Sequence, residues 1–223
     1  RVKQAILISS DKAVRPTSVM GASKRVSELI FQGFGKNHNN KIIFSMVRFG
    51  NVLGSSGSVI PLFKKQIQEG GPITITHEGI YRYFMTLEEA SQLVIQSSAM
   101  SKGNEVFLLD MGNQVNIKQI AIQLIKLHGL TLKNSKNNYG DIEIKVIGLR
   151  PGEKLYEELL IDNKSSPTEH PLIYSANEKF LPLDYLLERI NDLKTNFETQ
   201  DDKKVLQILK EIVPEWDENE RHY

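Results

Sequence analysis

Ala5-Ile6-Leu7-Ile8-Ser9-Ser10-Asp11-Lys12 sets an apolar run of buried-strand type directly before two hydroxyls, a carboxylate and an amine. A run of this kind reads as a strand of a mostly parallel sheet, and open α/β sheets bind ligands outside the carboxyl ends of their strands. The polar cluster is therefore where chemistry should be sought. Beyond it the rhythm changes: Val19, Ala22, Val26, Leu29 and Ile30 recur at helical spacing behind Ser18, a good N-cap, and the pattern is expected to end near Gly33 and Gly35. A strand, a polar turn and a helix in succession make the chain α/β.

The alternation continues outward from this unit. Strands are expected over 41–47, Ile73–Ile75, Val106–Leu109 and 142–147, and helices over 59–67, Leu87–Met100, Ile117–Leu127, 183–190 and 205–212. Gly70-Gly71-Pro72 forces a turn, and the Asn-, Lys- and Ser-rich stretch 131–140 reads as a surface loop. Pro182 and Asp201-Asp202 mark the starts of the last two helices.

Composition narrows the function classes. At 223 residues, 40% hydrophobic and 25% charged, the chain can bury a sizeable core. A net charge of +1 gives no basic excess for nucleic acid, so none is expected as a partner. No apolar run approaches the roughly 20 residues that span a bilayer. The absence of cysteine rules out disulfides and thiolate metal sites and fits a cytoplasmic setting. The histidines lack metal-ligand spacing, so no metal is assigned.

Four separated blocks carry a more specific signal. They are the stretch from Ile8 through Ser10-Asp11-Lys12 to Met20-Gly21-Ala22-Ser23-Lys24, the stretch from Arg48-Phe49-Gly50-Asn51 to Phe63, then Tyr81-Arg82-Tyr83-Phe84-Met85-Thr86, and Gly148-Leu149-Arg150-Pro151-Gly152-Glu153-Lys154 with the residues to Leu159. In this order they resemble the polysaccharide-biosynthesis, CapD-like branch of the extended short-chain dehydrogenases, with the closest likeness to UDP-N-acetylglucosamine 4,6-dehydratases. Met20 stands where most of these enzymes carry a tyrosine, which resembles the membrane-anchored members. The resemblance implies the carboxyl-terminal part of an NAD(P)-binding Rossmann fold with a smaller α/β substrate-binding region. It places a partial Rossmann domain over 1–115 with a substrate loop near 54–72, a mainly substrate-binding region over 116–200, and a carboxyl-terminal helix and tail over 201–223.

The reaction so implied moves a hydride from sugar C4 to NAD, eliminates water across C5 and C6, and returns the hydride to C6. Methionine carries no proton, so the acid–base work moves to the strand end. Asp11 is assigned as the acid at the C6 hydroxyl and Lys12 as the C5 base, for which the lysine must be neutral, a state that burial or neighbouring cations favour. Ser10 would orient the C4 hydroxyl, Lys24 would supply a cation at the nicotinamide ribose, and Ser9 is a further cofactor contact. Asn51 and the helix start at Ser58 and Val59 are assigned to the sugar diphosphate. Arg82 and Arg150 would clamp its charge, and Glu153 would take a ribose hydroxyl. Met20 is read as packing at the helix start without reacting.

No Gly-x-Gly-x-x-Gly occurs in the chain, although a dinucleotide fold carries it on its first strand–helix turn. The sequence is accordingly expected to be a carboxyl-terminal piece whose amino-terminal NAD-binding half lies upstream. That half, or a covering chain, would protect the edge of the 5–9 strand. A UDP-sugar substrate and a homo-oligomer are the remaining partners implied, with membrane attachment only through upstream helices. Two rivals are a non-catalytic nucleotide-sugar-binding module and a nucleotide-sugar 4-epimerase or reductase.

Overall fold

The computed structural model describes residues 2–36, 41–55, 57–160 and 165–217. In chain order its elements begin with β1 (Gln4–Ile8), a single 3-10 turn (Asp11–Ala13), α1 (Val19–Lys36), β2 (Ile43–Arg48), β3 (Asn51–Val52) and α2 (Val59–Gln68). There follow β4 (Ile73–Ile75), β5 (Tyr81–Arg82), β6 (Phe84–Met85), α3 (Leu87–Met100), β7 (Val106–Leu109), β8 (Val115–Asn116) and α4 (Ile117–Leu127). The chain ends with β9 (Leu132–Lys133), β10 (Ile142–Val146), β11 (Ser166–Pro167), β12 (Ile173–Ala176), α5 (Leu183–Glu198) and α6 (Asp202–Ile212).

These elements form two compact units. Among the described residues, the first comprises those within 2–49, 90–110 and 158–217, and the second those within 50–89 and 111–157. The contiguous ranges expected from the sequence do not coincide with them. Residues 158–160 and 165–217 return to the sheet and helices of the first unit, while the described residues of 50–89 leave it. Residues 218–223 of the expected tail lie outside the described residues.

In the first unit a sheet of order β1-β2-β7-β12-β11 is parallel across β1, β2 and β7, with β12 antiparallel to β7. β7 is buried along its whole length, as its unbroken Val-Phe-Leu-Leu run requires of a strand covered on both faces. β1 is an edge strand of this sheet, with Ala5, Ile6 and Leu7 half-buried and Ile8 exposed.

α1 packs on β2 and also on α5 and α6, burying Ala22, Val26 and Leu29 with Leu186, Ile208, Leu209, Ile212 and Trp216. α1 does not stop at its glycines but continues to Lys36. A side chain at Gly33 would meet Leu183 Cδ1 at 3.2 Å, so this glycine serves the close approach of α5 rather than a helix end. α5 likewise runs past the expected 190 to Glu198, and Asp201 caps α6 by accepting from the Lys204 amide.

The second unit has its own core. Phe63 and Ile67 of α2, Ala121, Leu124 and Ile125 of α4, and Ile73, Ile75 and Ile142 of the strands pack together with Ile80, Ile117 and Leu155. Its three-stranded sheet, β4-β10-β9, is parallel. Gly70 and Gly71 both take positive φ in the turn before β4. The expected loop 131–140 contains β9 and a turn in which the Asn134 side chain accepts the amides of Lys136 and Asn137. The short pairs β3-β6 (parallel) and β5-β8 (antiparallel) complete the unit.

Candidate active site

Two backbone hydrogen bonds extend the β1–β2 pairing past the end of β1: the Ser9 amide donates to Val47 O at 2.8 Å and the Asp11 amide to Phe49 O at 3.2 Å. The chain then turns through the 3-10 turn, for which Ser10 is the N-cap. The Ser10 hydroxyl accepts from the Lys12 amide at 3.3 Å and donates to Asp11 Oδ1 at 2.7 Å. Lys12 Nζ donates to the same oxygen at 2.9 Å. Asp11 is 0% exposed, and its Oδ2 has no hydrogen-bond partner among the described residues. This is not an exposed turn pair. A buried carboxylate oxygen without a donor is costly, and such exceptions concentrate at functional sites.

α1 starts beside this turn. Ser18 is its N-cap, accepting the Gly21 amide at its hydroxyl and the Ala22 amide at its carbonyl. A Cβ at Gly21 would stand 2.4 Å from Lys12 O and 2.9 Å from Pro16 Cβ, so the first turn of α1 can lie against the Asp11–Lys12 segment only with glycine there. Lys24 is half-buried one turn further on. Met20 is 53% exposed, which corrects the packing expected of it, because the buried face of the first turn is formed by Gly21 and Ala22.

Behind the strand end lies an ion network that the sequence reading missed. Arg48 Nε and Nη2 donate to the two oxygens of Glu28 at 2.7 Å each, and Nη1 and Nη2 donate to Glu178 at 2.6 and 2.7 Å. Leu159 O accepts Arg48 Nη1 at 3.4 Å. Arg25 donates to Glu28, Glu178 and Glu215. The Ser9 hydroxyl, assigned above to a cofactor, donates to Glu28 Oε1 at 2.6 Å.

Burial acts to raise the Glu28 carboxyl, but Arg48, Arg25 and Ser9 outweigh it and hold it below the ordinary carboxylate range. Burial likewise opposes the Arg48 charge, and the two glutamates overcome it, keeping the guanidinium firmly protonated. Arg48, which begins the block leading to Asn51, is fully buried. The signal in the sequence was Arg25 and Glu28 at i, i+3 on the apolar face of α1, where charges stay only if paired.

The second unit holds the remaining candidates. Asn51, Ser58 and Val59 are half-buried, and the Ser58 hydroxyl is buried at the start of α2 without a partner among the described residues. Arg82 is directed at main chain: Nη1 donates to Tyr81 O and Leu155 O, and Nη2 to Lys154 O at 2.7 Å. Glu153 accepts the Thr76 hydroxyl at 2.9 Å and the Arg150 amide at 3.0 Å, and lies 3.7 Å from Arg82. Arg82 and Glu153 thus bracket the 150–155 segment, while the Arg150 side chain is exposed. Tyr81 stacks on Tyr156 at 5.8 Å. No group of histidine, aspartate and glutamate that could hold a metal ion occurs among the described residues.

A parallel α/β sheet with a polar turn at a strand end and a helix starting beside it is a Rossmann-type arrangement. Residues 1–178 match the family model described as polysaccharide biosynthesis protein, and the chain belongs to that family. It is 52% identical over 168 residues to the capsular polysaccharide biosynthesis protein CapD of Staphylococcus aureus, covering 75% of this chain and 27% of that protein. Against the probable polysaccharide biosynthesis protein EpsC of Bacillus subtilis the identity is 55%, covering 71% and 25%. The chain therefore spans about a quarter of the length of these two relatives.

More distant relatives include a Campylobacter jejuni UDP-N-acetylglucosamine 4,6-dehydratase (inverting), 32% identical over 82% of this chain and 52% of that protein. A Rickettsia bellii UDP-glucose 4-epimerase is 34% identical over 76% and 47%. Among solved structures, Pen from Bacillus thuringiensis superposes with a TM-score of 0.68 at 36% identity, covering 82% of this chain and 54% of that one. A dTDP-glucose 4,6-dehydratase from Bacillus anthracis, solved with NAD, shares the fold at a TM-score of 0.53 and 20% identity, covering 65% and 50%.

Proposed function

We propose that this chain carries the acid–base residues of a nucleotide-sugar 4,6-dehydratase, converting UDP-N-acetylglucosamine to a UDP-4-keto-6-deoxy-N-acetylhexosamine in surface-polysaccharide synthesis. The observation that carries the reading is the Ser10-Asp11-Lys12 cluster at a strand end, in which Asp11 is buried with one oxygen unspent. Membership of the polysaccharide-biosynthesis family and likeness to a named 4,6-dehydratase support it.

NAD, when bound, supplies the hydride acceptor and donor. The half-buried Lys24 on α1 suits its ribose end, whereas the glycine-rich turn that cradles a dinucleotide pyrophosphate is not part of this sequence. The chain's own residues then handle protons. Ser10 takes the C4 hydroxyl proton as it passes its own to Asp11 Oδ1, 2.7 Å away. Lys12 removes the C5 proton, and Asp11 gives a proton to the C6 hydroxyl, which leaves as water. As C6 is reduced Lys12 returns its proton to C5, which leaves Lys12 neutral and Asp11 ionised as at the start.

Within the second unit Asn51, Ser58, Val59 and Arg150 are the candidates for the sugar diphosphate. Arg82 and Glu153 hold the segment that presents Arg150. The activity is assigned to the cytoplasm; among the described residues no helix is long and apolar enough to cross a membrane.

A 4-epimerase would need no acid at C6 and no base at C5, so the Asp11–Lys12 pair favours the dehydratase. The test is incubation of the protein carrying this chain with UDP-N-acetylglucosamine and NAD, followed by mass spectrometry. A product lighter by one water is expected. A product of unchanged mass epimerised at C4, or tight binding of the nucleotide sugar without turnover, would replace this reading with one of its rivals.

A further inference from the structure

The Ser9 and Asp11 amides are held by the carbonyls of Val47 and Phe49, the residues on either side of Arg48. The Arg48 side chain reaches Glu28, whose Oε1 also accepts the Ser9 hydroxyl. Glu28 lies four residues after Lys24 on α1, so a single carboxylate ties together the end of β1, the end of β2 and the helix that carries Lys24. On the far side Glu178 accepts from both Arg48 and Arg25.

A buried ion network is a poor source of net stability, since well-packed apolar residues often do as well in its place. What this one does supply is direction. The Arg48 guanidinium presents five N–H donors in a rigid fork, and five hydrogen bonds to Glu28, Glu178 and Leu159 O engage them. The main chain at residue 48 is then fixed from its side-chain end, and with it the carbonyls that hold the Ser9–Asp11 segment.

Resting on the dehydratase reading above, we propose that the Glu28–Arg48–Glu178 network is a positioning device that holds the Ser10-Asp11-Lys12 turn in a set orientation toward the Lys24 helix. Arg48 and Glu178 are positioning residues. They act through Glu28 and Ser9, and neither is one of the groups assigned to substrate or cofactor.

The test uses Glu178→Gln, a nearly isosteric change that leaves Arg48 and Arg25 bonded to Glu28, and Arg48→Lys, which keeps the charge but loses the fork. Hydrogen–deuterium exchange of residues 9–14 is measured without substrate, and kcat, KM and the unfolding midpoint are measured with UDP-N-acetylglucosamine as substrate. Faster exchange confined to 9–14 and the first turns of α1 is expected. The expected kinetic effect is a fall in kcat of about tenfold to a hundredfold with KM within about twofold of wild type.

Unchanged exchange in that turn, or a kcat loss that follows only the folded fraction, would overturn the proposal. If wild type forms no dehydrated product while exchange in the turn still responds to Glu178→Gln, the dehydratase reading falls and the positioning role stands. Should Arg48→Lys fail to fold, Glu178→Gln decides the matter alone.

Discussion

Replacing Gly21 with alanine separates the demands of the site from those of the fold. The added Cβ would lie 2.4 Å from Lys12 O, where ordinary contact begins at 3.4 Å, so the two backbones must part by about 1 Å (3.4 less 2.4). Pro16 Cβ, at 2.9 Å, obstructs a second direction, and neither neighbour is a flexible side-chain tip. Overpacking of this kind costs about 1–3 kcal/mol, against a gain of at most about 1 kcal/mol in helix propensity. The net loss of stability is therefore expected to be about 0–3 kcal/mol.

The effect on chemistry is larger. A displacement of about 1 Å at catalytic groups is worth about a hundredfold in rate. Urea unfolding and initial rates of 4-keto sugar formation measure the two separately. Gly33→Ala is the control in the same helix, because its Cβ would meet the movable Leu183 Cδ1 at 3.2 Å and Leu186 Cδ1 at 3.4 Å, with the nearest backbone atom, Leu183 Cα, at an ordinary 3.5 Å. Gly21→Ala protein that is more stable than wild type and equally active would refute the reasoning.

Other expectations concern the two cores. Because the folded Glu28 carboxyl titrates below the ordinary 4.5, its contribution is complete above that value and is lost as pH falls through the region beneath it. Denaturation midpoints followed downward from neutral pH should show that fall, and Glu28→Gln should flatten it while costing about 3–5 kcal/mol at neutral pH, by leaving Arg48 under-compensated. Phe63→Ala, in the core of the second unit, should cost about 3–5 kcal/mol by equilibrium unfolding.

The sequence pattern was most legible where packing follows a single period. Helices α3 and α4 and strand β7 lie where spacing alone places them, since each buries one regular stripe or run. α3 also begins with a reciprocal cap, in which the Thr86 hydroxyl takes the Glu89 amide and Glu89 takes the Thr86 amide. Ends governed by tertiary contact were less legible. Gly33 resembles a helix stop until α5 is seen pressed against it, and residues 191–198 continue α5 with few apolar positions to mark them.

The candidate site divides in the same way. The local cluster Ser10-Asp11-Lys12 is contiguous, so its presence was readable, but the complete burial of Asp11 was not, because a dipeptide carries no record of what covers it. The role of Arg48 was hidden for a related reason. Only the fold brings Glu28, twenty residues away, and Glu178, a hundred and thirty away, onto its guanidinium. The same holds for Arg82, whose donors meet the carbonyls of Lys154 and Leu155.

The most direct test of the account is the rate of water elimination from UDP-N-acetylglucosamine by Asp11→Asn protein, set beside Lys12→Ala. Asparagine preserves the size of the side chain but cannot pass a proton to the C6 hydroxyl. The account predicts folded protein and a loss of about a hundredfold or more in formation of the 4-keto-6-deoxy sugar. Near-normal product formation by either variant would contradict it.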